Sequence, residues 1–79
     1  MPDTSALVGR NVRRCRIQAE LTIAQLAAAL DEHGHPIHPD SLSRLETGHR
    51  RVTVDDLTAL SAVLGVKPKR LLRDADRCR

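Results

Sequence analysis

Phenylalanine, tyrosine and tryptophan are all missing from this 79-residue chain. Its core must then be built from Leu, Val, Ile and Ala, which favours packed helices and an all-α fold. The missing rings also remove the platforms on which single-strand binders and RNA-recognition sheets stack their bases, whereas duplex DNA needs none. Cysteine is nearly absent as well: Cys15 and Cys78 are far apart and form no CxxC spacing. With no leader pattern and no apolar run of membrane-spanning length, the sequence reads as a reduced, cytoplasmic protein. Cys15 is expected as a small buried apolar residue in its helix, and Cys78 as a tail thiol. No phosphate-cradling glycine loop and no nucleophile with a base are present, and the chain is too short to enclose a substrate pocket. Neither enzymatic activity nor a cofactor is therefore expected.

A chain of this size suits one small domain, which buries only about 60% of the surface its unfolded form exposes. The ordered domain is expected over residues 4–73, followed by a short basic tail over 74–79 without apolar periodicity. The charge is modest in sum, with 13 Lys and Arg against 10 Asp and Glu for a net +3. Its grouping says more. Arg10, Arg13, Arg14 and Arg16 form one set, Arg44, Arg50 and Arg51 a second, and six cations follow from Lys67 onward, with Asp31, Glu32, Asp55 and Asp56 between these groups. Grouped positive charge points to a polyanionic partner.

Five helices and no strand are legible. Asp3, Thr4 and Ser5 offer N-cap oxygens to a first helix whose apolar stripe is Val8, Val12 and Cys15 and which ends near Glu20. Thr22 with Gln25 three residues on is a capping-box pattern that starts a second helix, carried by Ile23, Leu26, Ala27 and Leu30 to Asp31 or Glu32. His33, Gly34, His35 and Pro36 interrupt it, since Gly34 suits a left-handed C-cap and Pro36 lacks an N–H. Pro39 then opens a third helix with His38 as its cap, running to about Thr47 and stopped by Gly48. Leu42 and Leu45 face inward in it, which leaves Pro39, Asp40, Ser43, Arg44 and Thr47 on the other faces. A fourth helix opens at Thr53 and is carried by Val54, Leu57, Leu60 and Leu64 to Gly65. Pro68 begins a short fifth with Leu71 and Leu72.

Two short helices with a tight connection, the second polar outside and followed by cations, are what a major-groove reader requires. At VGRNVRRCR, LTIAQLAAAL, IHPDSLSRLETGHRRV and VDDLTALSAVLGVKPKRLL, nearly the whole chain resembles the helix-turn-helix domain of phage Cro proteins, phage repressors and bacterial xenobiotic-response-element regulators. That resemblance implies a five-helix lambda-repressor-like fold, sequence-specific binding of double-stranded DNA, and transcription regulation, as a repressor. It places Pro39, Asp40 and Arg44 where members read base edges, with Ser41, Ser43 and Thr47 near the backbone. It also makes Arg16 and Glu46 an ion pair tying the first helix to the end of the third, a structural role.

Two departures stand out: Ile23 occupies a position where many members carry a phosphate-touching Gln, and DEHGHPIH is longer than the usual turn, as in an extended-turn subgroup. Arg44 is suited to guanine O6 and N7. Asp40 has two readings, an acceptor for cytosine N4 or a helix-dipole residue that reads nothing. Thr22, Gln25, His38, His49, Arg50 and Arg51 are candidates for the DNA backbone.

A zinc site built from His33, His35, His38 and His49 is disfavoured, because the spacing crosses a proline turn without paired cysteines, so no metal is expected. The alternative to DNA is a protein partner, with the chain acting as an antitoxin or anti-repressor on the same fold. A homodimer through the fifth helix and the tail is expected to use Leu71 and Leu72.

Overall fold

The computed structural model describes residues 4–73, so Asp3, the tail over 74–79 and Cys78 lie outside the described residues. Five helices follow one another: α1 Thr4–Gln18, α2 Ile23–Glu32, α3 Pro39–Glu46, α4 Val54–Leu64 and α5 Pro68–Leu72. No strand occurs among the described residues. None of the helices is long and apolar enough to cross a membrane. The fold is all-α, as the aliphatic composition implied.

The chemistry of the helix ends explains the boundaries. Thr22 Oγ1 accepts the Gln25 N–H at 3.0 Å while Gln25 Oε1 accepts the Thr22 N–H at 2.8 Å, the reciprocal bonds that satisfy two orphan donors. Thr53 and Asp56 repeat this at α4. At the other ends one pattern recurs: the His35, His49 and Val66 N–H groups reach back to the carbonyls of Leu30, Arg44 and Ser61, with Gly34, Gly48 and Gly65 at positive φ. This is the Schellman closure. The first helix closes likewise through Leu21 N–H on the Arg16 carbonyl, but with Glu20 at φ 59 where a glycine would be unstrained. That closure stops α1 at Gln18, two residues before the expected end.

Val8, Val12, Cys15, Leu26, Ala27, Leu30, Ile37, Leu42, Leu45, Ala59, Leu60 and Leu71 form the core. Two expectations need correcting. Val54 is 78% exposed, because it is the first helical residue of α4 and lies beyond the packed face, which Asp56, Ala59, Leu60 and Ser61 fill instead. Leu71 is fully buried, leaving Leu72, 43% exposed, as the only leucine of α5 free for a partner. Leu71 is held inside partly by Asn11, buried in α1, whose amide donates to the carbonyls of Leu71 and Arg73 at 2.7 and 2.6 Å.

Candidate nucleic-acid interface

The third helix divides into two faces. Leu42, Leu45 and Glu46 are buried, while Pro39, Asp40, Ser43, Arg44 and Thr47 are exposed and Ser41 is half-buried. An α-helix with its side chains is about 10–12 Å across, which fits the width of a B-DNA major groove, about 12 Å. At its start His38 Nδ1 accepts the Asp40 N–H at 3.1 Å, so that ring nitrogen is engaged in capping and only Nε2 is left for another group. His38 Nδ1 also lies 3.9 Å from Asp40 Oδ2. At its end Thr47 Oγ1 donates within the last turn, to the carbonyls of Ser43 and Arg44 at 3.2 Å, and lies 2.9 Å from His49 Nδ1. Arg44 makes no ion pair or side-chain hydrogen bond among the described residues, so its guanidinium is free for an outside partner.

Two buried carboxylates anchor α3 and the segments that flank it. On the α1 side Glu46 is gripped by Arg16 through two parallel bonds, Nε to Oε2 at 2.7 Å and Nη2 to Oε1 at 3.1 Å, and Arg16 Nη1 donates to the Leu21 carbonyl at 2.7 Å. The side chains are 13% and 4% exposed, so the pair is largely withdrawn from water and its fork geometry fixes orientation as well as distance. The close approach of the two helices depends on Gly9, where any Cβ would overlap the Leu45 carbonyl oxygen.

On the other side Asp56 of α4 takes His35 Nε2 at 2.7 Å and Arg50 Nη2 at 3.6 Å, besides the Thr53 N–H at 3.1 Å. Burial by itself would raise the Asp56 carboxyl, yet the bond from His35, the bonds with Thr53 and the charge of Arg50 together hold it below the usual carboxylate range. The six-residue connection 33–38 is therefore pinned at His35 to α4, and at Ile37, 5% exposed, to the core.

Arg50 is the candidate whose placement departs most from its expected role. It is half-buried and turned toward the buried Asp56 carboxylate, with Nη1 buried and unpartnered. Arg51 and His49 are exposed. Thr22 and Gln25 are exposed too; each side-chain oxygen accepts the other's backbone N–H, which leaves the Thr22 hydroxyl proton and the Gln25 amide protons to donate. Gly9, Asn11 and Asp56 were given no structural role from sequence, and His35 was placed only in the turn and in the disfavoured zinc set. A signal existed for three of them: a glycine in mid-helix, an Asn inside an apolar stripe, and an Asp three residues after a capping Thr. Three of the four histidines lie in the connection 33–38 and the fourth, His49, follows α3, and no group of three possible metal-binding side chains is gathered among the described residues.

The chain matches the family described as a helix-turn-helix domain over residues 7–75. It belongs to that family. The match takes in most of α1 and all of α2, the turn, α3, α4 and α5. No curated protein and no solved structure matches the chain significantly. Membership supports DNA as the partner and a regulatory role; which face does the binding is a matter for the geometry.

Proposed function

We propose that this helix-turn-helix domain binds double-stranded DNA with sequence preference, places α3 in the major groove, and regulates transcription, of the repressor kind that acts by occupying its site. The observation that carries the reading is the outer face of α3, a groove-width helix with an exposed and unpaired Arg44 beside Asp40, Ser43 and Thr47. Arg44 is the reader of guanine, because a guanidinium presents two parallel N–H groups to O6 and N7, a contact of about 1–3 kcal/mol in discrimination. Asp40 accepts from cytosine N4, and Pro39 contributes shape. Arg51, His49, His38 Nε2, Ser43 and the Gln25 amide bond phosphates and set register. The four segments quoted above support placement in the Cro, phage-repressor and xenobiotic-response-element group, and two copies on half-sites one helical turn apart would meet through Leu72 and the residues after it.

The test is selection of the protein's targets from a random duplex pool, followed by salt titration on the enriched sequence. Enrichment of a short motif, with log affinity falling by about 0.9 per log unit of salt for each phosphate contacted, is the expected result. No enrichment, or binding indifferent to salt, would transfer the domain to a protein partner such as a toxin or a repressor.

A further inference from the structure

Apart from Arg16, the arginines of α1 have no role in the site as described so far, yet Arg10 and Arg13 border it. An open groove runs between α1 and α3, lined by Ala6, Arg10, Arg13 and Arg16 of α1, Ile23 of α2, Ser43 and Glu46 of α3, and Thr47 at its C-cap. Its one carboxylate, Glu46, is already matched by Arg16. Arg10 and Arg13 are exposed and make no ion pair or side-chain hydrogen bond among the described residues. The groove therefore carries two uncompensated positive charges.

Helix geometry places those charges relative to the face of α3 that the proposed function uses. At about 100° per residue, Thr47 lies roughly 20° from Asp40 and roughly 60° from Arg44 around α3, so the groove wall and the reading face are one surface. Around α1, Arg13 lies about 60° and Arg10 about 120° from Arg16, which turns toward α3, whereas Arg14 lies about 160° away. Arg14 accordingly lines, together with Arg10, Arg13, Ile17 and Gln18, an adjoining depression that no residue of α3 reaches, and it is absent from the lining of the groove between α1 and α3. A helix seated in a major groove has a sugar-phosphate strand along each side. Here the side toward α1 meets Arg10 and Arg13, each with a fork of N–H donors suited to phosphate oxygens.

We infer that Arg10 and Arg13, with Ser43 opposite them, form a second phosphate-binding site that grips the backbone strand on the α1 side of α3. The inference rests on the reading of α3 as the groove helix. It makes α1 a contact element as well as a brace, and assigns the strand on that side to two arginines while Arg51 and His49 serve the exit of α3.

The test is an Arg10→Gln/Arg13→Gln double variant of the whole chain, assayed on the duplex selected by the unaltered protein. Glutamine keeps helix propensity, and both side chains are exposed, so the melting temperature should stay where it was. Two lost phosphate contacts should reduce the salt slope by about 1.8, which shrinks the affinity lost between 50 and 200 mM salt by roughly twelvefold. Each single variant should account for about 0.9 of that slope, which repeats the reading if the double variant melts early. Arg14→Gln should leave the slope unchanged, and phosphate ethylation interference should lose only the signals on one flank of the site. An unchanged slope in the Arg10/Arg13 variants, or an equal loss from Arg14→Gln, overturns the second site and leaves α3 as the reader. Failure of the unaltered protein to bind any duplex overturns both.

Discussion

The two buried carboxylates on either side of α3 do the same work by different means. Glu46 is held by an arginine through a bidentate fork of two parallel N–H donors. Asp56 is held by a histidine, charged only when protonated, by a more distant arginine, and by its own capping box. The α1 side of α3 is thus held by a two-bond clamp, with the remaining arginines of α1 exposed. The α4 side is held by a cluster that spends Arg50 on the interior. The difference explains why two arginines of similar sequence context, Arg50 and Arg51, end with different prospects: one is drawn into a carboxylate, the other is left for solvent or phosphate.

Breaking the first clamp should cost most. Arg16→Ala strands the Glu46 carboxylate and the Leu21 carbonyl, and a denaturant titration should show a loss of about 3 kcal/mol or more. That is a large share of the stability of a domain this small. Gly9→Ala attacks the same side without touching charge. Its methyl group must push the Leu45 carbonyl away, an overpacking expected to lower stability by about 1–3 kcal/mol in the same assay.

Asp56→Asn tests the other side. It leaves His35 and Arg50 facing an amide, for a loss of about 1–3 kcal/mol near neutral pH, and it should change the acid limb of the stability curve. Because the folded Asp56 carboxyl sits below its usual range, its stabilising contribution is complete above the ordinary carboxylate value of about 3.9 and is lost as pH falls through the lower folded value. The Asn variant should show a shallower acid limb, and a limb identical to that of the unaltered protein would contradict the role given to Asp56. The smallest effect is a gain. Glu20→Gly relieves a left-handed residue at the end of α1, and thermal melts should show roughly 1 kcal/mol of added stability.

Much of this was legible in the sequence because it depends on local chemistry. The capping threonine Thr22, Pro39 at the start of α3, and the glycines at 34, 48 and 65 each act within one turn of chain, so the helix boundaries could be read to within a residue or two. Glu20 escaped because nothing about a glutamate announces a left-handed conformation. Contacts between distant segments were harder. The bond from His35 to Asp56 spans 21 residues and Asn11 to Leu71 spans 60; no periodicity encodes either. For the site itself, the outer face of α3 could be read from the spacing of Leu42 and Leu45. The diversion of Arg50 and the groove beside Arg10 and Arg13 depend on how three helices meet.

The account stands or falls on the outer face of α3, and Arg44 is where it is most exposed to test. Site selection from random duplex DNA should be run in parallel on the unaltered protein and on Arg44→Ala, with folding of both checked by circular dichroism. The account predicts that the variant still enriches a motif but loses its preference for guanine at one base position per half-site, while Arg51→Ala weakens all sequences alike and keeps the motif. An Arg44→Ala variant that selects the same motif with the same preference at every position would contradict it.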